Sequence, residues 1–353
     1  MGKLSKYMFA IWIAICIPVL QVCAGTQKKI KLISAGSIAF QRYSYAKKGK
    51  VLAYGVQDLV RSVPEIKEIA DIEIEEFSNI DASLMTPVMM FNLAMEAWKI
   101  LKDPEISGVI ILHGSETLEE TAFMLDLLID SEKPVVITGA QRMGSDLSVD
   151  AAANLLDAAR VAIDAESWGR GVLVVFNGTI LSGREATKVS ASDIDAFKSP
   201  YGPVGKVQSG KVLYLRPKGK RFVIETNDVA KKVYLIKMAA GMDGLFLRVA
   251  IEGGADGVVI EGFGAGTLTE DNLRALYSAI EKKVPVVIVS RCASGFVDPE
   301  QVALFAGKDL AEKGIIFGGD LTGPKARILL MLVLNRTRSP KEIQDYFNRF
   351  YTR

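Results

Sequence analysis

A single histidine, His113, and three cysteines are spread over 353 residues. Two of the cysteines, Cys16 and Cys23, fall within the first 24 positions, so the rest of the chain carries only Cys292 and no intrachain disulfide can form there. One imidazole and one thiol do not make a clustered ligand set, so neither a zinc site nor any other cofactor is expected. A serine–histidine–aspartate device would have to use His113, which sits two residues from Ser115, too close in an extended turn to reach the usual geometry readily. The GxSxG elbow, the phosphate loop GxxxxGK[ST] and the dinucleotide fingerprint GxGxxG are all missing from strand–turn–helix contexts. Gly262-Phe263-Gly264-Ala265-Gly266 follows an apolar run but lacks the third fingerprint glycine. Charge of one sign is lacking too. Of 43 Lys+Arg, Lys3 and Lys6 lie at the far N-terminus, and the remaining 41 balance 41 Asp+Glu with no basic run, so nucleic acid is not an expected partner.

Long apolar runs are confined to one place. Lys3 and Lys6 precede the run from Met8 to Val22, and Val22-Cys23-Ala24 fits the small-x-small rule for cleavage before Gly25. Residues 1–24 are therefore expected to be a signal peptide and the protein to be exported, periplasmic or secreted. An uncleaved anchor is the main alternative, and a lipid-modified Cys23 is disfavoured by bulky Val22. No later run of 18 apolar residues marks a membrane span, so the mature form is expected to have no membrane partner.

What the chain does have is the alternation of buried strand, polar turn and helix. Val109 to Leu112 is an apolar strand that enters the turn His113-Gly114-Ser115-Glu116-Thr117. Leu118, Ala122, Leu125 and Ile129 then repeat at helical spacing, with Thr117 and Glu120 in capping-box register. Pro134 to Thr138 is the next strand, and another polar turn and helix follow. Such grammar predicts an α/β fold with a parallel sheet, whose ligands bind beyond the carboxyl ends of the strands. Ile30 to Ser34, Ile72 to Phe77 and Gly171 to Phe176 read as further strands, and Thr86-Pro87 as the start of a helix to about Lys102. Phe40 to Lys50, polar and aromatic, reads as a mobile loop and candidate lid. Gly178 to Lys188 reads as a hairpin-type excursion with a polar tip.

Length suggests about two domains. The charge-rich stretch 216–232 has no apolar period and is expected to be a linker. It separates a larger N-terminal domain, residues 25–215, from a smaller C-terminal α/β domain with its own parallel sheet, residues 233–353. In the latter, Met242 to Glu252, Glu270 to Glu281, Lys325 to Asn335 and Lys341 to Tyr351 are expected helices.

With histidine and metal set aside, the available chemistry is hydroxyl, lysine and carboxylate. Ser37 and Ser115 each follow a buried strand at a glycine turn, Glu116 adjoins Ser115, and Lys188 lies on a loop after a strand. A lysine whose pKa falls on burial can serve a hydroxyl as base, and helix-terminal N–H groups can hold a developing oxyanion. The set supports acyl transfer. Each residue also has a plainer reading: turn serine, helix cap, dipole partner, solvated lysine.

HGSETLEE (113–120) and KPVVITGAQR (133–142) resemble the HGTDT-x-EE and KPVV-x-x-GA-x-R motifs of the bacterial-type L-asparaginases. LISAGSIA (32–39) is similar to that family's LATGGTIA. Gly171 to Phe176 with GREATK (183–188) matches GVLVV…GR-x-x-TK, and FKS (197–199), YGP (201–203) and PKAR (324–327) follow in the family's order. The likeness covers nearly all of the chain after the N-terminal segment. It implies two α/β domains, a homotetramer built from close dimers with sites at the dimer contact, and hydrolysis of a small-molecule amide through a covalent acyl-enzyme. By motif position Ser37 corresponds to the nucleophile, and Ser115, Glu116 and Lys188 to its supporting threonine–aspartate–lysine set. Ser115 and Glu116 also fall where substrate is held.

The chain departs from that pattern at the substrate. Both catalytic threonines are serine, which lacks the methyl that stiffens χ1, and Ala35 stands where glycine is usual. Glu116 replaces aspartate. The carboxylate-binding segment I-x-SQ-x-M reads Ile80-Asp81-Ala82-Ser83-Leu84-Met85, so Ala82 and Ser83 occupy the clamp. Tyr43 and Tyr45 are candidates for the lid tyrosine, while ungapped counting puts Gly49 there, and Ala265 falls at the partner-chain asparagine. Two readings follow: an amidohydrolase with an altered clamp, or a catalytically impaired relative that binds a small amino-acid-like ligand.

Overall fold

The structure is a computed structural model and describes residues 27–36, 40–229, 231–302 and 306–349. Ser37 and the expected signal peptide lie outside the described residues. The N-terminal half runs β1 (Lys29–Ser34), β2 (Gln41–Ser44), β3 (Gly49–Leu52), α1 (Val56–Arg61), α2 (Ile66–Ile69), β4 (Asp71–Glu76), α3 (Pro87–Leu101), β5 (Ile106–Leu112), α4 (Leu118–Leu128), β6 (Val135–Thr138), α5 (Ala151–Ile163), β7 (Val172–Phe176), β8 (Thr179–Ser182), β9 (Thr187–Lys188), β10 (Phe197–Lys198), β11 (Gly205–Gln208) and β12 (Lys211–Tyr214). The C-terminal half runs β13 (Val233–Lys237), α6 (Leu245–Glu252), β14 (Gly257–Gly262), α7 (Glu270–Glu281), β15 (Val286–Ser290), α8 (Ala306–Glu312), β16 (Ile316–Phe317), α9 (Gly323–Val333) and α10 (Pro340–Asn348).

Eight strands form the larger sheet in the order β12-β11-β8-β7-β6-β5-β1-β4. The five from β4 to β7 are parallel, and β8, β11 and β12 extend the sheet antiparallel. β6 and β7 are buried at every position, which is why they read as near-continuous apolar runs. The smaller sheet, β13-β14-β15-β16, is wholly parallel. The larger unit is thus a mostly parallel sheet flanked by helices, and the smaller a parallel α/β unit, as the alternation predicts.

Three apolar clusters hold these layers. One packs α1, α2 and α5 on one face of the larger sheet. Another lies under α6 and α7 on the outer face of the smaller sheet. The largest runs from the other face of the large sheet through α3 and α4 to α9 and the smaller sheet, joining Ile111, Leu125, Leu329 and Val287. Helices α4 and α9 therefore form a shared layer, and the two units are welded through apolar side chains.

Three local expectations change. Residues 40–50, expected as a loop, contain the β2–β3 hairpin, which turns with Lys48 at φ 49°. Its backbone bonds locally, so it needs no apolar period to form a ladder. Thr117 does not cap α4: its φ of −117° and ψ of 12° turn the side chain away, and the hydroxyl donates to the Ala82 carbonyl at 2.9 Å. The helix expected from Met242 starts at Leu245, because Asp243 and Asp271 take the backbone N–H groups of Leu245 and Gly244. Residues 216–229 have neither helix nor strand, but Ile224 N–H donates to Leu127 O at 2.7 Å and Arg221 donates to the Ser131 and Ile129 carbonyls, fastening this segment to the end of α4.

Candidate active site

The parallel neighbours β1, β5 and β6 end on the same edge of the larger sheet. Their turns are stitched by Ala35 N–H to Leu112 O at 2.9 Å and His113 N–H to Thr138 O at 2.8 Å. Gly36 has φ +92°, and a Cβ there would come within 2.2 Å of the Ile80 carbonyl oxygen. Glycine therefore lets the segment around Ile80 to Ser83 close over the turn that precedes Ser37. Likewise a Cβ at Gly114 would meet the Ala82 Cβ at 2.4 Å, so Ala82 is pressed directly on the Ser115 turn.

Lys188 reaches this edge from the far side. The chain leaves β8, turns at Arg184–Ala186, and pairs Lys188 with Phe197 in the short β9–β10 ladder. Lys188 Nζ donates to Ser115 Oγ at 2.6 Å and to Gln141 Oε1 at 3.0 Å, and Ser115 Oγ–H donates to the same Gln141 oxygen at 2.8 Å. Burial lowers the Lys188 pKa from its ordinary value, while Glu116 and Glu119 pull the other way. Ser115 is buried. The result is a hydroxyl within direct proton-transfer distance of an amine that burial makes easier to deprotonate.

Behind the pair stands a second carboxylate. Glu119 Oε2 accepts the backbone N–H of Lys188 at 2.5 Å. Burial raises the Glu119 carboxyl, opposed by Lys325 and by the Lys188 N–H. Lys325, at the start of α9, is fully buried, and burial brings its pKa down to about 8. It donates to the carbonyls of Arg184 at 2.9 Å and Ala186 at 2.7 Å, so the smaller unit grips the turn that carries Lys188. That turn is also held by Glu185, which receives both Arg216 guanidinium nitrogens and the Ser199 hydroxyl.

Of the residues expected at the site, Ser115 and Lys188 meet in a hydrogen bond. Glu116 is exposed at the rim, its Oε2 folded back to 3.4 Å from where a Gly114 Cβ would stand. Ala82 is buried, and its carbonyl takes the Thr117 hydroxyl. Ser83 is exposed and donates its hydroxyl hydrogen to Asp81 at 2.6 Å. Tyr43 and Tyr45 are exposed and stack edge to face, centroids 5.1 Å apart. Gln141, Glu119 and Lys325 were not singled out from sequence, although all three sit inside matched motifs. His113 is buried between Gly114 O and Thr121 Oγ1, with its pKa brought down to about 4 by burial, and takes no part in the Ser115–Lys188 pair. Among the described residues no group of three or more His, Cys, Asp or Glu could hold a metal ion.

A hydroxyl backed by a lysine, on the carboxyl edge of a two-unit α/β scaffold, is an arrangement able to support hydrolysis. The family described as Asparaginase, N-terminal, matches residues 29–219, and the Glutaminase/Asparaginase C-terminal domain matches residues 232–347. The chain belongs to the asparaginase family. It is 37% identical over 310 residues to L-asparaginase 2 of Escherichia coli, covering 86% of each chain. It is 36% identical to a probable periplasmic L-asparaginase of Haemophilus influenzae, covering 84% of each. Among solved structures it is similar to a probable cytoplasmic L-asparaginase from Campylobacter jejuni, with a TM-score of 0.81 at 32% identity over 91% of this chain and 99% of that one.

Proposed function

We propose that this protein hydrolyses the side-chain amide of L-asparagine, or of a closely related small amide, to the acid and ammonia. Family membership supports that activity, and the 2.6 Å contact between Lys188 and Ser115 is the observation that carries it. Neutral Lys188 draws the proton from the Ser115 hydroxyl, and the Ser115 oxygen in turn accepts a proton from an attacking hydroxyl or water. The nucleophile is Ser37, which follows Gly36 in the sequence and stands at the nucleophile position of the LISAGSIA motif. Glu116 holds the substrate amino group at the rim, and the 82–83 segment faces its carboxylate. Nothing observed favours the catalytically impaired reading: the hydroxyl–lysine pair is intact.

The deciding experiment is ammonia release from a panel of amides by purified protein, with Ser37→Ala alongside. Turnover of asparagine that disappears in the variant, with stability changed by no more than about 1 kcal/mol, is the expected result. Undiminished turnover in the variant removes Ser37 as nucleophile, and no ammonia from any amide removes the function.

Export rests on Lys3, Lys6 and the apolar run that follows. The relatives are named both periplasmic and cytoplasmic. A mature N-terminus at Gly25 in the exported fraction is expected. The domain limits 25–215 and 233–353 and a homotetramer of close dimers complete the reading. A monomer in sedimentation at micromolar concentration counts against the assembly.

A further inference from the structure

The Gln141 side chain sits between Ser115 and Lys188, at a position the KPVV-x-x-GA-x-R motif leaves open. Its carbonyl oxygen receives two hydrogens, one from the Ser115 hydroxyl at 2.8 Å and one from the Lys188 ammonium at 3.0 Å. The amide is not free to exchange its oxygen and nitrogen. Its Nε2 donates to the Asp193 carbonyl at 3.1 Å, and its backbone N–H donates to the Asp150 carboxylate at 3.0 Å. Asp193 is itself fixed by Ser190, which donates to its carboxylate at 2.9 Å. The oxygen thus points at the Ser115–Lys188 pair from a loop fastened by these bonds.

An amide oxygen accepts hydrogen bonds but cannot take a proton near neutral pH. It therefore stabilises the ammonium form of Lys188 and holds the Ser115 hydrogen away from the amine. Only when Lys188 has lost a proton does its lone pair compete for that hydrogen. The Ser115 O–H then breaks, the proton passes to Nζ, and the new ammonium again donates to Gln141. We propose that Gln141 is a positioning residue that sets the protonation balance of Lys188 and thereby the pH at which the site becomes active. The inference rests on the amidohydrolase reading for its catalytic meaning, but its physical content concerns one lysine. The charged groups facing that lysine are Glu116, in the turn before α4, and Glu119, in the first turn of α4, with Lys325 behind Glu119. They are unchanged by substitutions at position 141.

The test compares wild type, Gln141→Leu and Gln141→Glu. Two readouts are taken: the pH dependence of kcat, and the titration midpoint of Lys188 from competitive labelling with trace acetic anhydride and peptide mass spectrometry. Leucine removes the acceptor, so the midpoint and the rising limb should move to lower pH. Glutamate adds a carboxylate, so both should move to higher pH. Each shift is expected on the order of one pH unit, as for gain or loss of one charge-assisted bond. A merely structural role would lower kcat in both variants without moving either midpoint. Equal midpoints in all three proteins, or shifts of the same sign, overturn the proposal. If the labelling midpoints separate as expected but no amide is hydrolysed, the function falls and the role of Gln141 stands. Hydrolysis with unmoved midpoints gives the reverse. Should the leucine variant fail to fold, the glutamate variant decides alone.

Discussion

The two parallel sheets end in comparable edges but use them differently. On the larger sheet the turns after β5 and β6 gather a hydroxyl, an amide and a carboxylate, and a strand from elsewhere delivers Lys188 to them. On the smaller sheet the turns close on themselves. Ser290 donates to Gly264 O, Arg291 N–H to Gly262 O, and the Arg291 guanidinium to Met238 O. Asp320, which follows β16, receives Arg184 at 2.7 Å and the Tyr201 hydroxyl, both from the larger unit. One edge gathers groups able to exchange a proton and the other acts as a clamp. The shared βα grammar sets where a site can form. Convergence of a remote side chain decides whether one does.

The comparison breaks most easily at Lys188. Lys188→Met should lower kcat by about 10²–10⁴, the usual worth of a lost acid–base group, and abolish the rising limb of the pH–rate profile. A variant that retains the wild-type profile would make both edges structural. On the clamp edge the effect should appear as stability instead. Asp320 and Arg184 are largely buried, with side-chain exposures of 7% and 14%, so Asp320→Ala should cost about 3–5 kcal/mol, as when one partner of a buried pair is removed. Denaturant unfolding measures it. A cost as small as that of Ser115→Ala, expected at about 1 kcal/mol, would erase the distinction.

His113 tests whether the reactive edge also carries structural groups. Its folded pKa of about 4 lies below the ordinary 6.5. As pH falls below 6.5 the unfolded chain takes up the proton first, so stability is full above that value and declines until about pH 4. The decline attributable to this group is roughly 3 kcal/mol. His113→Gln should flatten the stability profile in that window relative to wild type. Identical slopes would mean that the imidazole takes up its proton as readily in the fold as in the unfolded chain.

Much of this was readable in the chain, and the unread parts share a cause. β6 and β7, buried on both faces, announced themselves as apolar runs, and Thr86-Pro87 gave the start of α3, where Thr86 Oγ accepts Met89 N–H. β9, β10 and β16 have two residues each, too few for any period. The β2–β3 hairpin has no buried face among its described residues to produce one. Of the site, Ser115 and Lys188 were legible by motif, but Gln141 lies 47 positions from Lys188 and was hidden in a variable slot. Thr117 shows the limit of local rules: its capping spacing is correct, yet a carbonyl 35 positions away takes its hydroxyl. Pairings set by the tertiary fold leave no local spacing to read.

The smallest expected effect is on specificity, at the rim of the reactive edge. Ser83 directs its only donor to Asp81, and Ala82 has no side-chain donor, so the segment that should meet a free α-carboxylate offers it little. Charge-assisted bonds contribute about 1.5–3 kcal/mol each, and the loss of one corresponds to roughly a 10–100-fold higher KM. Glu116 is longer than aspartate by about one C–C bond, ~1.5 Å, and its carboxylate folds back over Gly114 instead of standing off the helix end. The pocket should therefore hold asparagine weakly, while the folded-back Glu116 carboxylate leaves its extra length outside the pocket and adds no discrimination against glutamine. Ser83→Gln restores a reaching donor, and Glu116→Asp shortens the carboxylate while keeping its charge. The double variant should lower KM for asparagine by about 10-fold or more while leaving kcat within a few-fold, since neither residue touches the Ser115–Lys188 bond. A micromolar KM in the wild type, or a change in kcat alone, would mean that the rim does not set affinity for asparagine.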